Sequence, residues 1–288
     1  MSRIAYVNGH YVSHLDAAVH VEDRGYQFAD GIYEVCEVRD GGIIDVKGHL
    51  DRLERSAREL DMECAVGRSQ LEFVMGEIRA RNKVQDGLIY MQMTRGVAPR
   101  NHLFPSKDIP SSLVLTARST PRGIAAQKAA QGVSVITVPD NRWDRVDIKT
   151  TSLLPNVMAK QKAKEAGAFE AWFVDGDGNI TEGTSTNVWI VTKDNVLVTR
   201  DASKGILKGI TREGVLMTAE RLQIKIEERR FSVEEAQSAK EAFITAATTV
   251  VVPVVEIDGK KVGEGIPGDM SEKLRINFNK LTAVEKND

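Results

Sequence analysis

Hydrophobic positions along this chain recur with two periods, and the two kinds of stretch are interleaved. IAYVNGHYV is a pair of β-rich runs about Asn8 and Gly9, residues that tolerate the φ > 0 of a tight turn, so a hairpin is expected at the start. GHLDRLERSARELDM places Leu50, Leu53, Ala57 and Leu60 on one helical face, and SQLEFVMGEIRARNK does the same with Leu71, Val74 and Ile78. Strands are expected at LIYMQMTRG and SSLVLTAR. Around residues 118–132 the chain turns small and polar, with Pro121, Gly123 and no sustained strand period. That marks a linker, set at 121–132, between a domain over 1–120 and another over 133–288. In the second, GVSVITV, EAWFV, NVWIV and VLVTR read as strands joined by DGDGN and TKDN turns. TREGVLMTAERLQ and SVEEAQSA read as helices, the latter with Ser232 and Glu235 at capping-box spacing. EAFITAATTVVVPVVEIDGKKVGEG returns to strand with a turn at Asp258-Gly259, and an amphipathic helix begins near Met270. The pattern predicts two mixed α/β domains.

Composition narrows what such domains do. With 288 residues, 42% of them hydrophobic, the chain can bury a substantial core. A formal net charge of −2 leaves no basic excess to neutralise a phosphate backbone or an anionic membrane surface, so neither nucleic acid nor membrane is expected as a partner. Cys36 and Cys64 are the only cysteines, too few for a disulfide framework or a structural zinc site, and no metal is expected. The longest apolar stretch, near VVVPVV, is far short of a bilayer span, and MSRIAYVNGHYV lacks the pattern of a secretory leader. A soluble, cytoplasmic protein is expected.

Candidate chemistry centres on DIKTTSLLPN. In an extended reading of RVDIK, Val146 and Ile148 share one face while Asp147 and Lys149 share the other, which aims Lys149 away from the apolar pair, where it could enter a cavity. Partial desolvation there favours the neutral amine and suits Schiff-base chemistry, although most lysines at strand ends are simply solvated. Glu182, in a small and polar stretch between strands, offers a carboxylate to a protonated pyridine nitrogen; surface turns have the same composition. In ILKGITREG, Gly209 permits close backbone approach and Thr211 is placed to cap a helix whose N-terminus suits phosphate, or is an ordinary cap. Thr248 and Thr249 add hydroxyls. Arg52, read as lying on the polar side of its helix, adds a permanent positive charge, unless it is merely solvated. Arg100 and His102, two apart in a Gly/Pro loop, fall on one side of an extended segment and together could grip a carboxylate.

Taken together, EDRGYQFADGIYEV, HLDRLERS, TRGVAPRNH, DIKTTSLLPNVMAKQKAKEAG, TEGTSTNVW and LKGITRE resemble the class IV, fold-type IV pyridoxal-phosphate aminotransferases, most closely the D-amino-acid aminotransferases. The resemblance runs over essentially the whole chain. It implies an α+β fold: a small N-terminal α/β sandwich domain and a larger, sheet-rich C-terminal pseudo-barrel. It implies pyridoxal 5′-phosphate as cofactor, attached to Lys149, which also moves the α-proton. It implies that Glu182 meets the pyridine nitrogen, that Arg52, the Ile210 and Thr211 amides and Thr248 hold the phosphate, and that Tyr33, Arg100 and His102 trap the substrate carboxylate. The substrates implied are a D-amino acid of the D-alanine type and a 2-oxo acid of the 2-oxoglutarate type, turned over in alternation by a homodimer with shared active sites.

The same fold serves branched-chain L-amino-acid aminotransferases, (R)-amine transaminases and aminodeoxychorismate lyase, so the fold alone does not fix the reaction. Tyr33, Arg100 and His102 favour the D-amino-acid reading because amines need no carboxylate trap. A non-catalytic relative gives no reason to keep Lys149, Glu182 and the phosphate residues together. Two departures stand out. Ala246 and Ala247 replace a Ser-Thr pair expected beside the cofactor, and Pro155 falls where the helix after Lys149 should begin.

Overall fold

Asn8 and Gly9 take φ of 46° and 95° and close a hairpin between β1 (Ile4–Val7) and β2 (His10–Ser13). The computed structural model describes residues 3–121, 123–203 and 205–282. These form two compact units, residues 3–121 with Ile148–Ser152, and residues 123–147 with 153–282.

The first unit continues with α1 (Arg24–Phe28), β3 (Gly31–Arg39), β4 (Gly42–Ile43), α2 (Val46–Glu59), α3 (Arg68–Arg81), β5 (Gly87–Thr94) and β6 (Ser112–Ser119). Its six strands make an antiparallel sheet in the order β2-β1-β6-β5-β3-β4. Leu50, Leu53 and Ala57 of α2 and Leu71, Val74 and Ile78 of α3 are buried against it, as their spacing predicts. Burial alternates along β3: Ile32, Glu34, Cys36 and Val38 point inward, so one inward position carries a charge.

The segment leading to Lys149 differs from its sequence reading. Residues 144–147 form a turn rather than an extended run. Ile148 then enters the first unit's core, Thr150 bridges to Ile32, Tyr33 N donates to Lys149 O at 3.0 Å, and Thr151 N donates to Gly31 O at 2.9 Å. The sequence reading assigns Lys149 to the second domain; its segment packs with the first.

Residues 121–132, read as a linker, contain helix α4 (Ile124–Gln131). IAAQKAAQ consists largely of good helix formers, and Gly123 and Gly132 bound it at φ of 90° and 72°. The second unit continues with β7 (Val133–Pro139), α5 (Leu154–Glu165, with Pro155 in its first turn), β8 (Glu170–Val174), β9 (Ile180–Gly183), β10 (Asn187–Val191) and β11 (Leu197–Thr199). Then follow α6 (Ile210–Arg221), β12 (Ile226–Glu228), α7 (Val233–Ser238), β13 (Glu241–Ala246), β14 (Val250–Ile257), β15 (Lys260–Lys261) and α8 (Asp269–Leu281). Ser232 caps α7 through its hydroxyl on Glu235 N, at 3.1 Å. Glu182 lies within β9, not between strands as its composition suggested.

The strand order β12-β11-β10-β13-β14-β7-β8-β9 requires curvature. From β10 to β9 is five steps in that order, about 24 Å if the sheet were flat. Only Thr184, Ser185 and Thr186 connect β9 to β10, a span of at most about 14 Å across the four intervening Cα steps. The sheet therefore curls, bringing β9 around toward β10. The fold is α+β, as expected. Among the described residues, no helix is long and apolar enough to cross a membrane, and no three His, Cys, Asp or Glu side chains are grouped to hold a metal ion.

Candidate active site

In the first unit, Lys149 is half-buried and its Nζ stands 4.2 Å from the centre of the Tyr33 ring. The Tyr33 ring in turn stacks on Tyr90 at 5.8 Å. Burial, with a smaller contribution from Tyr33, pushes the Tyr90 phenol up to about 12. The backbone of Lys149 is fixed on both sides: its carbonyl accepts from Tyr33 N, and its N–H donates to Ser56 Oγ at 3.4 Å. The amine is thus carried on a short segment pinned to β3 and α2.

Arg52 is not on a solvated face. It is 8% exposed, and its guanidinium forks onto Glu34, Nε to Oε1 at 2.8 Å and Nη2 to Oε2 at 2.7 Å. His49 Nδ1 lies 2.8 Å from the same Oε2. Burial works to raise the Glu34 carboxyl, but the charge and hydrogen bonds of Arg52, with His49, outweigh it and hold the group at about 2. Burial likewise works against the Arg52 charge, and Glu34 more than offsets it, so Arg52 is held above its ordinary value. Neither Glu34 nor His49 was a candidate from sequence. The strand alternation carried the signal: a glutamate at an inward position of β3 must find a buried partner.

Arg100 and His102 are exposed and share one neighbour, with the Arg100 guanidinium 4.8 Å from the centre of the Phe28 ring and the His102 ring 5.4 Å from it. Arg24 stacks on that ring too, at 4.8 Å, and donates through Nη1 to Asn101 O at 2.6 Å, holding the loop between them. Asp30 accepts from both Arg24 and Arg95 at 2.8 Å. Tyr33, grouped with this pair from sequence, lies under the Lys149 amine.

In the second unit, Glu182 is 6% exposed and surrounded by donors. Arg142 Nη1 donates to Oε1, while Asn187 Nδ2 at 3.2 Å and Leu207 N at 3.1 Å donate to Oε2. Arg142 is held by Asp140, Nη2 to Oδ2 at 2.7 Å, and Thr181 Oγ1 donates to the same oxygen at 2.8 Å. Burial works against the charge on Arg142, but Asp140 and Glu182 raise its pKa; Asp140, against its own burial, is lowered chiefly by Arg142. Sequence reasoning missed Arg142 and Asp140, which lie about forty residues before Glu182.

Helix α6 begins at Gly209, which has no side-chain cap. Thr211, expected to be that cap, sits buried inside the first turn, so the Ile210 and Thr211 N–H groups have no intrahelical acceptor. Gly209 is needed for packing, since a Cβ there would stand 2.1 Å from Asn187 Oδ1. Thr248 lies exposed on the turn between β13 and β14, and the neighbouring Thr249 hydroxyl is buried without a partner. Taken unit by unit, the donor sets suit a phosphorylated pyridine aldehyde. The first offers an amine for the aldehyde and a buried arginine for phosphate. The second offers a carboxylate for the ring nitrogen, an uncapped helix N-terminus and an orphaned buried hydroxyl.

Comparison with known proteins agrees. A family model for amino-transferase class IV matches residues 31–257. The D-alanine aminotransferase of Bacillus licheniformis is 41% identical over 268 residues, 93% of each chain, and that of Listeria monocytogenes serotype 4b is 40% identical over 275 residues, 94% of this chain and 93% of the relative. Among solved structures, the branched-chain amino acid aminotransferase of Escherichia coli superposes with a TM-score of 0.90 at 23% identity, covering 100% of this chain and 97% of that one. A hypothetical aminotransferase from Mycobacterium tuberculosis, in its PLP-bound form, gives 0.83 at 21%, covering 97% and 99%. At those identities the likeness speaks to the fold, which is fold type IV. The sequence match goes further: this chain belongs to the class IV aminotransferases and is a pyridoxal-phosphate-dependent transaminase.

Proposed function

We propose that this protein is a D-amino-acid aminotransferase, taking the amino group from a D-amino acid of the D-alanine type and passing it to a 2-oxo acid of the 2-oxoglutarate type. The observation that carries this reading is the near-complete match, at about 40% identity, to D-alanine aminotransferases. When bound, the cofactor supplies an electron sink that acidifies the substrate α-carbon. Lys149 would hold the cofactor, and in each half-reaction its Nζ would carry the proton between the substrate α-carbon and the C4′ carbon of the cofactor, in opposite directions for the amino acid and the accepting oxo acid. Arg52, the Ile210 and Thr211 N–H groups and Thr248 hold the phosphate, and Glu182 meets the ring nitrogen. Ala246 and Ala247 carry no hydroxyl, so this grip leans more on Arg52 and the helix.

Tyr33, Arg100 and His102 take the substrate carboxylate. Leu103 and Phe104, beside them, are 75% and 60% exposed, which supports a homodimer in which this loop serves the active site of a second copy. The cysteine-poor composition supports a cytoplasmic location. The test is turnover of D-alanine against L-leucine with 2-oxoglutarate, read as oxo-acid formation and as bleaching of the cofactor's visible band. D-alanine is expected to react and L-leucine not; reaction with L-leucine alone would replace this reading with the branched-chain one.

A further inference from the structure

The Arg52–Glu34 pair poses an energetic question. Both side chains are buried, and removing two charges from water is costly, so an apolar pair of similar volume would serve packing at least as well. The ion pair is therefore explained better by what it does to Arg52 than by what it does for the core. An arginine left to itself samples many rotamers. Here the Nε and Nη2 edge is committed to one carboxylate in a two-pronged fork, so the direction of the guanidinium plane follows that of Glu34. Glu34 is fixed in turn by the β3 backbone and by His49, three residues before Arg52 on the same stripe of α2. Four residues after Arg52, Ser56 reaches the Lys149 backbone, and Tyr33, next to Glu34, reaches it from β3. One helix stripe and one strand thus hold Arg52 in register with the lysine.

We infer that Glu34, backed by His49, is a positioning residue for cofactor phosphate, holding the Arg52 guanidinium in the orientation that grips it. This rests on the reading of Arg52 as a phosphate ligand. Glu34 itself touches neither cofactor nor substrate; it acts through Arg52.

The test compares two probes on the full-length chain, pyridoxal 5′-phosphate and pyridoxal, which has the aldehyde but lacks the phosphate. In Glu34→Gln an amide NH2 replaces one of the carboxylate oxygens that accept from Arg52 and His49, while volume is kept. The dissociation constant of pyridoxal 5′-phosphate is expected to rise about tenfold or more, the scale on which partners orienting a ligating group act, and that of pyridoxal to stay within about twofold. Glu34→Asp, which keeps the charge, should recover part of the loss. His49→Gln, which leaves the Glu34–Arg52 fork in place, should shift the same probe less, and serves as the measurement if Glu34→Gln does not fold. Equal weakening of both probes would mean a merely structural role and would overturn the inference, as would no change in either. Arg52→Ala separates the premise from the inference. If it is selective for the phosphorylated probe and the Glu34 and His49 variants are not, the inference alone falls. If Arg52→Ala is not selective, the phosphate reading falls and takes the inference with it.

Discussion

The two units hold their candidate site charges with opposite polarity. In the first, a buried carboxylate, Glu34, grips the arginine proposed to meet phosphate; in the second, a buried arginine, Arg142, grips the carboxylate proposed to meet the ring nitrogen. Each supporting group is backed again, Glu34 by His49 and Arg142 by Asp140. The supports differ in completeness. Glu34 and Arg142 are both enclosed, and the difference lies one step back, where the His49 side chain is 3% exposed and Asp140 keeps 15% of its side chain in solvent. An exposed charge can be oriented by water and its own chain; a buried one needs an opposite charge to hold both its direction and its ionisation.

The largest expected effect separates acting from holding. Lys149→Ala should lower transamination by about ten-thousandfold or more, because the group proposed to move the proton is gone, while far-UV circular dichroism and thermal midpoint stay near those of the parent. Substantial remaining turnover would remove Lys149 from the reaction. Next come the supports. Glu34→Ala and Arg142→Ala each strand a buried opposite charge and should cost about 3–5 kcal/mol in denaturant unfolding. If only Glu34→Ala is costly, the symmetry between the units fails.

Acid unfolding sharpens the contrast by about 3 kcal/mol. Glu34 is lowered from its ordinary 4.5 to about 2 in the fold, so the stability it contributes is fully present above pH 4.5 and is lost as pH falls toward 2. In Glu34→Gln that loss should be absent, leaving a shallower fall in thermal midpoint over this window; an unchanged slope would mean that Glu34 does not carry it. Asp140 is also lowered, so the second unit should show a loss of the same sign. The smallest effect tests the backing in the second unit. Thr181→Val removes the hydroxyl that donates to Asp140 and accepts from Arg142 and should cost about 1 kcal/mol, read as a shift in urea midpoint at constant m-value.

Much was legible in the chain because it depends on neighbours in sequence. The Asn8-Gly9 turn, the Leu50-Leu53-Ala57 face of α2, the Ser232 cap and Pro155 in the first turn of α5 follow from local backbone and side-chain rules, and all are present. Local reasoning went astray where a tertiary partner overrode it. Residues 145–149 alternate in sequence, yet 144–147 form a turn, after which Ile148 enters the first unit's core and Thr150 pairs with Ile32 of β3. Arg52 looked solvated because helix periodicity sees only its own turns, not Glu34 on a strand. Thr211 looked like a cap, but the packing of Gly209 against Asn187 starts α6 two residues earlier.

By itself the sequence determined most element types and the class IV family and singled out Lys149 as the lysine proposed to react, since each rests on residue types at short, ordered spacings. Only the tertiary structure decided which charges meet. Glu34 is 18 residues from Arg52, and Glu182 is 40 from Arg142. No local propensity encodes such pairings; they exist because folding removes both partners from water at the same place, where an unpaired charge would cost more than the pair.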